Sequence, residues 1–180
     1  MQKLIRLHDA VFATVSNILA PWFLPTAARF SFASVLLWFF WNSGKTKLGE
    51  NIFTPSLGAY AQVFPRKMEA LGYDVDMMSG LDTIIVLMGT YAEFILPALI
   101  VLGLFTRLAS LGMVGFIVMM SIVDIYGHGL DAKTIGQMFD GDPYGLLVDQ
   151  RLLWGFVLSV LVIKGAGPFS ADHLLRRMRG

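Results

Sequence analysis

The chain has no cysteine, which removes disulfides, thiolate metal sites, iron–sulfur clusters and any dithiol chemistry of its own. Charge is also scarce. Only 15% of residues are charged, and 14 basic side chains against 13 acidic ones leave a net +1. A nucleic-acid partner needs a concentrated basic surface, so that class is excluded. Its three histidines, His8, His128 and His173, fall at the edges of apolar stretches. No haem ligand pair and no metal site is therefore expected. Asp140-Gly141-Asp142-Pro143 lacks the closing Glu of a calcium loop and reads as a turn. Neither a phosphate-cradling glycine loop nor a nucleophile elbow is present.

What the chain has instead is apolar surface. Hydrophobic residues make up 56% of it and the mean hydropathy is +0.64, a balance that needs lipid as solvent. Helices of about 20 apolar residues cross the hydrocarbon layer. Stretches of that kind run over 24–42, 81–105, 108–126 and 146–163. Thr106-Arg107 is too short a link to reach the other face, so the second and third spans must be antiparallel. Leu4, Leu7, Val11, Phe12, Val15, Ile18 and Leu19 recur at helical spacing ahead of the first span. Asp9, Thr14, Ser16 and Asn17 interrupt the apolar core that a signal peptide requires, so this segment is expected to lie in the membrane interface.

Short helices are expected in the two long connections, one opened by Pro65 and another capped by Asp131 and running through Met138. A last helix is capped by Ser170. The fold class is thus all-α: one integral membrane domain over 1–180, a four-helix bundle with an N-terminal interfacial amphipathic helix and short helices in the outer loops. Lys3, Arg6, Arg107, Lys164, Arg176, Arg177 and Arg179 lie on the side of the termini, so both termini are expected in the cytoplasm with the basic tail near anionic headgroups.

The residues that an apolar helix should avoid are the informative ones. Glu93 falls near the middle of the second span, where an ionised carboxylate costs several kcal/mol unless paired or wetted. Arg29 and Arg151 lie at depths from which a long side chain could reach it, and the spacing does not choose between them. Pro97 withholds a donor from the Glu93 carbonyl, and Gly89 bares the same face one turn earlier. Glu93, Arg29 and Arg151 are the candidate catalytic residues, either as a proton site or as a buried ion pair that only sets packing. A second cluster is expected at the outer boundary from Asp124, His128, Trp41 and Lys47. With Tyr91 these are candidates to hold a headgroup or a quinone ring; ordinary interfacial anchoring is the alternative.

Several of these pieces together resemble the DoxX family of small bacterial membrane proteins. They are Arg29 opening the first span, the stop Gly44-Lys45-Thr46-Lys47-Leu48, and Glu93 followed by Leu102-Gly103-Leu104-Phe105-Thr106-Arg107. Gly165-Ala166-Gly167-Pro168-Phe169-Ser170-Ala171-Asp172 completes the set. The resemblance implies a compact four-helix bundle in the bacterial inner membrane. Some members are associated with quinone-linked oxidation, and others are accessories beside peptide-modification or metal-stress proteins. Related proteins that handle disulfides use cysteines, which this chain lacks. The leading expectation is a subunit of a quinone-linked redox system that has no redox centre and no covalent cofactor of its own. The alternative is a non-catalytic accessory that docks a protein partner through its outer loops. Catalysis and the number of copies, an oligomer included, stay open at this level.

Overall fold

The computed structural model describes residues 1–179, and every regular element among them is helical. The first, α1 (Gln2–Leu19), buries no residue. The first span is one continuous helix, α2 (Phe23–Lys47). In the first long connection, α3 (Leu57–Val63) and α4 (Pro65–Ala70) follow, the latter opened by its proline. The next spans are α5 (Gly80–Leu102) and α6 (Thr106–Gly127). A short α7 (Ala132–Ile135) precedes α8 (Val148–Lys164), and α9 (Ala171–Arg179) ends the described chain.

Three of these helices, α2, α5 and α6, are long and apolar enough to cross a membrane. At 17 residues α8 is shorter, about 25 Å at the usual helical rise, and it packs chiefly against α6 and α2. A single core joins the four helices. Phe32, Leu36 and Phe40 of α2 meet Ile100 of α5, Met113 of α6 and Leu158 of α8. Residues four apart drift around an ordinary α-helix by about 40° per step, because 3.6 residues make a turn. The widened π turn at Ala33–Leu37 takes up that drift, so Phe32, Leu36 and Phe40 all stay buried.

Helix ends follow the chemistry of their sequences. Ser79 and Asp82 form a capping box at the start of α5, and Lys67 of α4 bonds the same carboxylate. Gly103 ends α5 at φ +70°, so the chain turns tightly into α6. Asp131 caps α7 as expected, but that helix ends at Gly136 (φ +78°) rather than running through Met138. Ser170 accepts from the His173 N–H at the start of α9. A smaller core of Ala59, Tyr60 and Met68 packs on Val86, seating α3 and α4 against the N-terminal half of α5.

Candidate functional site

Glu93 is 2% exposed and Lys47, the last residue of α2, is 5% exposed. The Lys47 Nζ donates to Glu93 Oε1 at 2.8 Å and Oε2 at 3.0 Å, and to Ser43 Oγ at 2.6 Å. Ser43 in turn donates to Glu93 Oε1 at 3.2 Å. Ser43 and Lys47 are four apart, so one helical face presents both to the carboxylate. The approach depends on Gly44. A Cβ there would sit 2.7 Å from the Phe94 ring, closer than atoms can pack. Trp41 adds a further tie, donating its indole N–H to the Phe94 carbonyl at 3.2 Å. That carbonyl is next to the one Pro97 leaves without a helical donor.

Beside this buried pair lies a cavity of about 360 Å³ between α5 and α6, roofed by α3. Its walls include Ile85, Leu96, Phe116 and Met120, with Lys47, Glu93 and Asp124 as the charged residues. Gly89 and Gly115 line it from the two helices, and a Cβ at either would meet nothing within 4 Å. Both positions therefore border open space, and a side chain added at either would enter it without a clash. Asp124 is held by Arg151 in a second ion pair, and Arg151 also donates to Ser121 Oγ at 2.6 Å.

The partner expected for Glu93 is corrected by this geometry. Neither Arg29 nor Arg151 reaches it; Lys47 does. Arg29 is spent on backbone. Its guanidinium donates to the carbonyls of Ile100 (3.1 Å), Val101, Ala166 (3.2 Å) and Phe169 (2.6 Å). Those oxygens lie at the end of α5 and in the link after α8, regions short of helical donors. The outer cluster also divides. Lys47 and Asp124 line the cavity, whereas Trp41, Tyr91 and His128 do not. Tyr91 donates to the Ile52 carbonyl, and the His128 ring lies 3.1 Å from the Gln62 carbonyl.

A family model described as DoxX matches residues 28–124, more than half of the chain. The chain belongs to the DoxX family. With its long apolar helices, it is a multi-pass membrane protein. No curated protein and no solved structure matches it. The DoxX stretch contains Arg29, Ser43, Lys47, Glu93 and Asp124, so the Lys47–Glu93 pair, like Lys67–Asp82, lies wholly within it. Arg151, the partner of Asp124, lies beyond it.

Two features of the site escape a linear reading. Ser43 looks like an ordinary interfacial hydroxyl until α2 is seen to meet α5 at Phe94. Lys47 reads as a stop residue and as a ligand candidate at the outer boundary, and only the close approach at Gly44 shows that its ammonium turns inward to Glu93. The four-residue spacing of Ser43 and Lys47 on either side of a glycine is the signal that was available.

Proposed function

We propose that this protein is a membrane subunit of a quinone-linked redox system. In this reading the cavity between α5 and α6 takes an apolar carrier, and Glu93, Lys47 and Ser43 hold and pass a proton beside it. The supporting observation is a buried ion pair in the wall of a largely apolar cavity, within the size range of small-molecule sites. The residues suit a flat ring with hydrogen-bond-accepting oxygens: Ile85, Leu96, Phe116 and Met120 offer apolar contact, and the Lys47 ammonium lies in the wall as a donor. A quinone, when bound, accepts electrons together with protons. The chain's own part is to seat the ring, keep water out and present the proton of the Glu93–Lys47 pair. No redox centre of its own is required. The site of action is the bacterial inner membrane with both termini in the cytoplasm, supported by the basic residues of α1, α9 and the ends of α6 and α8.

Replacing both partners tests the reading without stranding a charge. Glu93→Gln alone leaves a buried ammonium, which costs about 3–5 kcal/mol. Lys47→Met with Glu93→Met exchanges the pair for apolar side chains of similar length and is expected to keep the fold nearly as stable. Wild-type protein purified in mild detergent should carry extractable quinone, and the folded double variant should not. Equal quinone in both would remove the cavity from the mechanism.

A second reading has one observation in its favour. Phe139 is fully exposed (102%) and Tyr144 is 82% exposed in the outer connection before α8. Aromatic residues displayed this way suit the docking of a protein partner by an accessory subunit. Phe139→Ser with Tyr144→Ser should then abolish co-purification of that partner and leave quinone content unchanged.

A further inference from the structure

We infer that the cleft between the start of α6, the end of α8 and α9 binds the phosphate headgroup of an anionic phospholipid, best one with two phosphates. The cleft, about 440 Å³, lies at the end of the bundle that carries both termini. Arg107, Lys164, Arg176 and Arg179 line it. Asp172, the one acid in its wall, is already engaged: its carboxylate accepts the N–H groups of Phe105 at 2.8 Å and Thr106 at 3.0 Å. It offsets the positive end of α6, with Arg176 the cleft cation near enough to feel its charge. Among the described residues no carboxylate lies within 4.0 Å of Arg107, Lys164 or Arg176.

Arg107 uses Nη2 on the Ile163 carbonyl (3.2 Å), and Arg176 uses Nε on the Asp172 carbonyl (3.2 Å). These bonds fix the two guanidinium groups in place and leave further N–H groups for a ligand. A planar guanidinium with paired donors is well suited to phosphate oxygens.

The apolar residues in the same cleft decide which anion. Phe105, Leu108 and Leu175 line it while being 63%, 71% and 40% exposed. A soluble phosphate has no use for such surface, whereas a phospholipid brings acyl chains to it along with its charge. Because α6 begins and α8 ends here, the cations stand at the boundary where headgroups sit. Several cations sharing one cleft favour a lipid with two phosphates over a singly charged one.

Native mass spectrometry of the detergent-purified protein, titrated with cardiolipin, phosphatidylglycerol and phosphatidylethanolamine, tests the assignment. Cardiolipin is expected to bind most tightly and phosphatidylethanolamine least. Lys164→Gln with Arg176→Gln should weaken cardiolipin binding at least about tenfold. Lys3→Gln with Arg6→Gln, which removes the same charge from α1 at the same end, should change it little. Equal losses in the two double variants would show diffuse attraction and overturn the site. Displacement of cardiolipin by millimolar inorganic phosphate would overturn it in favour of a free-anion site. If the first double variant does not fold, the wild-type ranking of the three lipids still decides: equal binding of cardiolipin and phosphatidylethanolamine refutes the assignment.

Discussion

Arg29 and Lys47 lie at opposite ends of α2 and solve different problems with a positive charge. Arg29 gathers carbonyl oxygens that helix ends leave unpaired, a task for five donors in a planar fork. Lys47 supplies a compact ammonium to one carboxylate and one hydroxyl. Arg29→Lys is therefore not conservative, since one ammonium cannot span donor directions toward α5 and the link after α8 at once. It is expected to lower stability by about 2 kcal/mol or more, as several charge-assisted bonds are lost. Thermal unfolding in detergent would show this, and an unchanged midpoint would count against the structural role. The depth of Glu93 was legible in the sequence, because a carboxylate amid apolar residues stands out. Its partner was not, since the sequence put Arg29 and Arg151 within plausible reach and distance along the chain does not report which side chain turns inward.

Glycines divide the helices into places of contact and places of open space. At Gly44 a Cβ would strike the Phe94 ring, and at Gly103 it would lie 2.5 Å from Ser170 Cβ with φ at +70°. Gly115 faces the cavity with nothing within 4 Å. Gly44→Val should cost about 1–3 kcal/mol from overpacking. Gly115→Leu is expected to preserve stability while filling the cavity, so it should lower quinone content under the proposed function. Thermal midpoints and extracted quinone measured on both variants separate the two effects.

The link between α9 and α6 carries its own titration. Burial alone would raise the Asp172 carboxyl, but backbone N–H bonds from Thr106 and Phe105, with Arg176 nearby, outweigh it and hold the group below the ordinary carboxylate range. A depressed value in the folded state means that its contribution is present above the unfolded pKa and lost as pH falls through the folded one. Hydrogen exchange in α9 should accordingly rise below about pH 4, the ordinary Asp range. Asp172→Asn should flatten that dependence.

For the molecule as a whole, we propose that α8 crosses along with α2, α5 and α6, which would put both termini on one side and the connections holding α3, α4 and α7 on the other. The absence of native cysteine makes this directly measurable. Lys3→Cys and Arg177→Cys should react with a membrane-impermeant maleimide only after the inner face is opened. Lys133→Cys should react in intact spheroplasts. Labelling of all three from one side would mean that α8 does not cross.

Composition and periodicity by themselves determined the solvent, the all-helical class, the approximate limits of the three long apolar helices and several helix caps. Each of these depends on neighbours a few residues away and on how much apolar surface must leave water. Tertiary structure alone decided that Lys47 rather than an arginine answers Glu93, that Arg29 serves backbone, and that Gly89 and Gly115 open onto a cavity. Those outcomes depend on where α2 crosses α5 and on the width of the gap between α5 and α6. Such separations arise from packing among all the helices together, and no local pattern encodes them.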